Sequence, residues 1–230
     1  MSNVKSLAKQ TESRMELKRQ ATLLRICYSA FIELGETDLE GLAIKKVMAR
    51  AEFAFNTFYN YFGDRETLMA HIMDEIVYPW REKFLQAQAR SDDEAVKLGY
   101  LLRGWIAEFA RDERFARFTM RNGAFHHRAN AKSNRDAIDY FTSGAEKGLF
   151  LLSPVESKYL SLGLLGASAA LILREGATSD LGATVTRRCL VMLGVSDARA
   201  TEISQMPIAE TESLDFLFQR RLEDLRARME

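Results

Sequence analysis

A chain of 230 residues with 47% hydrophobic and 28% charged side chains has the make-up of a folded protein of one or two domains, which excludes an extended disordered chain. Its 32 basic and 32 acidic residues cancel, so a uniformly basic, nucleic-acid-coating protein is excluded too. Two distant cysteines, Cys27 and Cys189, and only three prolines point to a reduced, cytoplasmic, all-α protein.

Residues 1–15 are polar and carry no apolar run, so they read as a mobile arm and not as a secretion signal. Between Lys5 and Arg25, six basic residues face two acidic ones, Glu12 and Glu16, which makes one end of a neutral molecule positive. Lys5, Lys9 and Arg14 suit a minor groove, and equally a solvated tail. A first helix is expected over Met15–Leu34, with Leu23, Cys27, Ala30, Phe31 and Leu34 on one apolar face and Gly35 as its stop. A short second helix follows over Leu42–Arg50, with Val47, Met48 and Ala51 inward. After a tight turn comes a third helix over Phe55–Phe62. Two short helices joined by a tight turn are a helix-turn-helix. Gly63 is expected to end the third helix, and Asp64 to cap a fourth that buries Leu68, Ile72, Ile76 and Val77 and runs to about Pro79.

Beyond Pro79, helical spacing predicts helices near 92–111, 113–124, 134–147, 154–174, 180–193, 197–205 and 209–229. Ser153-Pro154 is a strong start signal, Asp180 and Asp197 are candidate caps, and Gly148, Gly176 and Gly194 are candidate stops. Leu160 to Leu173 is apolar nearly all round but too short to cross a bilayer, so it is expected to be buried on every face. The expected division is residues 1–78, a three-helix DNA-binding domain, and 79–230, a larger helical domain.

The residues of the N-terminal part resemble the TetR/AcrR family of bacterial transcription regulators. The resemblance rests on Phe31-Ile32-Glu33-Leu34-Gly35, Val47-Met48-Ala49-Arg50-Ala51, and Thr57-Phe58-Tyr59-Asn60-Tyr61-Phe62 with Arg65, Glu66 and Leu68. It covers about the first 75 positions; the remainder is similar only as a helical domain of the right length. The chain departs from the family pattern at Glu52, where the turn usually has Gly, at Ala54, usually a Ser-like cap, and at Asn56, usually a small residue.

The resemblance implies a homodimer on double-stranded operator DNA. It places Thr57, Tyr59 and Tyr61 at the sugar-phosphate backbone, Lys45 at a base or phosphate, and Phe53 in the core. By their chemistry, Asn56 can read adenine and Phe55 can pack on a thymine methyl, while Asn60 offers a further amide. Lys46 and Arg65 are candidate phosphate contacts. Phe58 and Phe62 are core by spacing. For Tyr59, Tyr61 and Phe55 burial is the competing reading, for Asn56 it is a cap replacing the missing Ser, and for Lys45, Lys46 and Arg65 it is a solvated charge.

The resemblance further implies dimerisation through helices near 154–174 and 180–193 and a pocket for a small-molecule inducer. Trp80, Tyr100, Trp105, Phe109, Phe118, Phe125, Tyr140 and Phe141 are the candidate lining, with a packed aromatic core as the alternative. The last helix, with Leu214, Phe218, Leu222, Leu225 and Met229, extends the dimer contact or caps the core. No enzyme is expected. Gly166-Ala167-Ser168-Ala169 lacks the strand that a nucleophile elbow needs, and His126-His127 lacks a third metal ligand, so no catalytic residue, cofactor or metal is assigned. The competing class is a helical scaffold that kept the fold and lost DNA binding.

Overall fold

The computed structural model describes residues 2–88, 91–126 and 132–229, with side chains described over 14–88, 91–122 and 135–229. All regular structure among them is helical: α1 Ser2–Glu36, α2 Ile44–Ala51, α3 Thr57–Tyr61, α4 Arg65–Ile72, a π-helical segment Met73–Val77, α5 Tyr78–Ala87, α6 Glu94–Arg111, α7 Glu113–His126, α8 Lys132–Glu146, α9 Pro154–Glu175, α10 Leu181–Met192, α11 Asp197–Gln205 and α12 Leu214–Ala227.

Two expectations about α1 change. It begins at Ser2, well before Met15, so the stretch expected as a mobile arm is part of the helix, and it passes through Gly35 to Glu36. Its buried stripe is Leu24, Cys27, Ala30, Phe31 and Leu34, with Leu23 only half-buried. Nor does the fourth helix end at Pro79. A proline lacks the N–H that an α-helix gives to the carbonyl four residues back, and its ring crowds that carbonyl. Here the helix widens into the π segment just before Pro79, and Tyr78 N–H bonds to Met73 O. Pro79 then sits in the first turn of α5, where no N–H is needed. The Glu75 carbonyl, four residues before Pro79, instead accepts from Arg221 Nη1 of α12 at 2.6 Å, and Arg221 Nη2 also pairs with the Glu75 carboxylate.

The later helices fall close to their expected bounds, and their punctuation is mostly as read. Ser153 and Glu156 form a reciprocal capping box, with Ser153 N–H donating to Glu156 Oε2 at 3.0 Å. Gly148, Gly176 and Gly194 take φ of 69°, 83° and 105°, which only glycine adopts without strain. Two caps differ. Asp180 makes no side-chain cap bond, and α11 is capped by Ser196, whose Oγ accepts from Arg199 N at 3.4 Å, not by Asp197.

Buried side chains form one continuous core from Leu17 to Leu225. Phe31 of α1 meets Phe118 of α7 at 4.9 Å, and Asn122 Nδ2 donates to Leu34 O at 2.9 Å. α12 buries Leu214, Phe218, Leu222 and Leu225, each worth roughly 1.5–3 kcal/mol of burial. It lies against α1, where Phe218 stacks on Tyr28 at 3.8 Å and the Tyr28 hydroxyl donates to Asp215. Of the two readings of the last helix, capping the core is the one seen within the chain.

Candidate nucleic-acid interface and the aromatic core

The turn between α2 and α3 closes on a non-glycine residue. Glu52 sits in the left-handed region at φ 60°, ψ 39°, the conformation for which the missing glycine is suited. Its N–H reaches Ala49 O at 3.1 Å and the next N–H, of Phe53, reaches Met48 O at 3.0 Å, so the carbonyls ending α2 are satisfied. Arg25 of α1 holds Glu52 Oε2 at 2.6 Å and lies over the Phe53 ring at 5.0 Å. Arg25 is therefore committed to the turn and does not belong to a free basic arm. Arg50 and Glu33, at 2.8 Å, tie α2 to α1 a second time.

α3 starts without a side-chain cap. Thr57 N–H bonds to Ala54 O at 2.9 Å and Phe58 N–H to Phe55 O at 3.2 Å, so a tight backbone turn replaces the missing Ser. Asn56 makes no cap bond, against the reading of it as a substitute cap, and it is exposed. The helix spans Thr57–Tyr61, shorter than expected, and Phe62, already extended, ends it instead of Gly63. Phe58 and Phe62 are buried and hold the helix to the core. On the other side, Tyr59 is 58% and Phe55 40% exposed, their rings edge to face at 5.7 Å. Asn60, Lys45 and Lys46 are exposed; Thr57 and Tyr61 are half-buried. Phe53 packs on the core as expected.

Asp64 caps α4 as expected, its Oδ1 accepting from Thr67 N at 2.7 Å, and that bond holds its carboxyl below the usual carboxylate range. Arg65 departs from a pure phosphate role: its Nη2 donates to Leu42 O at 3.1 Å and fixes the entry to α2. Four of its five N–H donors are left for another partner.

The eight candidate pocket aromatics do not come together as one lining. Trp80 stacks on Phe84 at 5.9 Å and meets Trp105 at 5.7 Å and Phe115 at 5.6 Å; Phe109 lies 5.4 Å from Phe115. Phe118 completes this cluster through Phe31. Tyr140 and Phe141 form a second cluster with Phe150, and the Tyr140 hydroxyl donates to Glu94 O. Tyr100 lies beneath Arg103 at 5.5 Å. The Phe125 side chain and His127 lie outside the described residues, as does the His126 side chain. Ring-to-ring packing is thus the outcome for most of the set. Phe84, Phe115 and Phe150, which spacing alone did not single out, are part of it, as is Phe31 from the apolar face of α1. Three polar atoms near the first cluster, Trp80 Nε1, Thr119 Oγ1 and Asn122 Oδ1, are buried without a partner among the described residues. Trp80, Phe84 and Leu217 also line a pocket of about 400 Å³ whose other wall is Glu210, Thr211 and Glu212.

α9 is not buried on every face within the chain. Ser157, Ser161, Leu165, Ser168, Ala169 and Ile172 turn inward, while Leu160 and Leu171 are 44% and 45% exposed, with Tyr159, Gly163 and Ala167 on the same outer side. Val191 of α10 is exposed as well. Ser168 Oγ donates to Leu164 O of its own helix at 2.7 Å, an ordinary helical bond. Cys27 and Cys189 are buried free thiols, and burial pushes Cys189 up to about 11. Among the described residues no helix is long and apolar enough to cross a membrane.

No family model matches the chain, and no curated protein matches it. Solved structures do. RolR without ligand is 25% identical with a TM-score of 0.58, over 82% of this chain and 99% of that one. RolR in complex with resorcinol is 26% identical with a TM-score of 0.59, over 84% and 97%. The fatty acid degradation regulator FadR from Bacillus halodurans shares the fold at 19% identity and a TM-score of 0.54, over 74% and 97%. The chain has the all-helical fold of the TetR-type transcriptional regulators. It is similar to regulators whose solved forms include one with a bound small molecule.

Proposed function

We propose that the protein is a dimeric, ligand-responsive transcriptional repressor that binds a palindromic operator. Residues 1–78 would hold the DNA and residues 79–230 the ligand and the second subunit. The observation that carries this reading is the division of α3 into a buried and an open side. Phe58 and Phe62 anchor it, while Phe55, Asn56, Tyr59 and Asn60 stand outward beside Lys45 and Lys46. Exposed aromatics and amides on a short helix at the end of a tight turn fit a major groove, where phosphate contacts set register and base edges set sequence. Thr57 and Tyr61 contribute hydroxyls at the rim of that surface, and Arg65 its remaining donors.

The scaffold alternative rested on the three departures in the turn. Glu52 nevertheless holds the left-handed geometry and Asn56 is left free, which favours DNA binding over its loss. The outer side of α9, with Leu160 and Leu171 exposed, supports a helical dimer contact with α10 of a second copy. Trp80, Phe84 and Leu217 on one wall of the 400 Å³ pocket support an inducer with an apolar body. RolR with resorcinol makes a small aromatic the first ligand class to try.

The test is a titration of the protein against DNA flanking its own gene, read by anisotropy across a salt series. Specific binding by the dimer is expected, and Lys45→Ala should lower the log–log salt slope by about 0.9 for each phosphate that Lys45 neutralises. Binding no tighter than to unrelated DNA, with the slope unmoved by Lys45→Ala, would sink the proposal.

A further inference from the structure

A second pocket, of about 340 Å³, lies apart from the aromatic clusters, between α6, the loop before α10 and the end of α11. Its polar centre is Arg103, a cation only 7% exposed and without a carboxylate partner among the described residues. Arg103 Nε donates to Gly99 O at 3.2 Å, and Nη1 donates to Ser204 O at 3.3 Å and to Met206 O. The Ser204 and Met206 carbonyls close the C-terminal end of α11, whose dipole offsets part of the charge. Nη2 has no partner among the described residues. Burial accordingly pushes the guanidinium below its ordinary value.

The second donor set comes from α10, whose first turn lies against the Arg103 stem; a Cβ on Gly182 would come within 3.5 Å of Arg103 Cγ. Leu181 N–H is taken by Thr178 O at 3.2 Å, but Asp180 supplies no side-chain cap. Gly182 and Ala183, the next two residues, line the pocket, and their amides have no intrahelical acceptor. The hydroxyl residues Thr178 and Ser179 stand at the same end. The face of α6 that carries Arg103 continues as an apolar wall through Ile106, Ala107 and Ala110, with Ile208 completing it. A buried cation lacking its counter-ion, with a positive helix end beside it and an aliphatic wall continuing along the same helix, is chemistry for one negative charge on a short hydrocarbon body.

We infer that this pocket binds a small apolar monocarboxylate, its carboxylate between Arg103 and the first turn of α10 and its chain along Ile106 and Ala110. The site is separate from the Trp80 pocket and stands or falls independently of DNA binding. The full-length protein is titrated with octanoate, and with 1-octanol as the uncharged control, by calorimetry and by thermal melting. Octanoate should bind saturably and raise the melting temperature with concentration, as any ligand of the folded state alone does. Octanol should bind at least about tenfold more weakly. Arg103→Gln should cost about 10- to 100-fold in octanoate affinity, with octanol unaffected. Because Arg103 also closes α11, Ala107→Phe serves as the second variant. Ala107 is exposed at the pocket wall, so this change fills the cavity without entering the core, and it should abolish octanoate binding while the unliganded melting temperature holds. Equal binding of octanoate and octanol, or octanoate binding that survives Ala107→Phe, would overturn the assignment.

Discussion

Arg221 is placed to supply what Pro79 withholds, and the consequence can be measured. In Arg221→Met the Glu75 carbonyl loses a charge-assisted bond of 2.6 Å and the Glu75 carboxylate loses its ion pair. Both side chains of the pair are partly exposed, at 42% and 27%, so the ion pair itself contributes no more than about 0.2–1 kcal/mol. The bond from a charged donor to a backbone carbonyl adds about 1.5 kcal/mol. The sum is about 2 kcal/mol, or a fall of about 4–8 °C in melting temperature for a chain of this size. The methionine keeps most of the aliphatic stem, so packing loss stays small. The sharper measurement is a double-mutant cycle with Pro79→Ala. An alanine restores an N–H within reach of the Glu75 carbonyl, so Arg221→Met should cost about 1 kcal/mol less in that background. Denaturant melts at one fixed protein concentration read all four corners. An equal cost of Arg221→Met in both backgrounds would refute the claim that Arg221 compensates for the proline.

Three further outcomes follow from the geometry. At position 52, glycine should exceed alanine by about 1 kcal/mol in chemical denaturation, because φ 60° strains any Cβ; inside an ordinary helix the order is the reverse, and finding that reverse order here would refute the left-handed turn. Gly104→Ala should destabilise by about 1–3 kcal/mol, since its Cβ would stand 2.7 Å from Phe84 Cε1 in a buried ring stack, and a thermal shift near zero would show that α5 and α6 are not so closely packed. Glu108 is buried and burial raises its carboxyl, although Leu214 N–H donates to it at 2.8 Å. Its folded-state value lies above the unfolded one, so its contribution is present below about pH 4.3 and is lost as pH rises through the raised value. Glu108→Gln keeps an acceptor for Leu214 and should flatten that part of the stability-versus-pH curve; an unchanged curve would assign the slope elsewhere.

What the residues revealed in advance, and what they concealed, divides by the range of the contact. Local punctuation was legible in part: the Asp64 cap, the Ser153-Pro154 start and the positive-φ glycines hold, whereas Asp180 makes no cap bond, Ser196 caps in place of Asp197, and neither Gly35 nor Gly63 ends its helix. Pro79 was misread as the end of the fourth helix because its tolerance depends on a π widening and on Arg221, which lies 146 residues beyond Glu75. The aromatic set was misread as a single lining for a related reason. Helical spacing tells which side of a helix is apolar, but not whether that side meets a cavity or another ring. Phe115 illustrates this: it touches Trp80, Trp105, Phe109 and Phe31, four rings from three other helices. Arg103 gave no local sign either, since its partners at 204 and 206 become neighbours only when α11 folds back onto α6.

The same long-range contacts bear on how a ligand signal would reach the DNA-facing surface. A ligand shifts such an equilibrium only if it binds one arrangement better than the other, so some element must have two arrangements to offer. α1 is tied over residues 25–34 both to α2 and to the core. Near α2, Arg25 and Glu33 fix the turn and Arg50; toward the core, Phe31 packs on Phe118, and Leu34 O is held by Asn122. The α4–α5 helix differs. It carries Trp80 at the proposed pocket and leads directly from the helix that Asp64 caps behind α3, and between the two it is widened and proline-interrupted. From outside, Arg221 of α12 fastens its wide segment at the Glu75 carbonyl and carboxylate. On the proposed mechanism, an occupant beside Trp80 would act on α3 by moving α5 about that segment. Arg221→Met should therefore alter the coupling between inducer and operator binding more than it alters either affinity alone. A variant with both affinities and their coupling unchanged would place the two-state element somewhere other than the π segment.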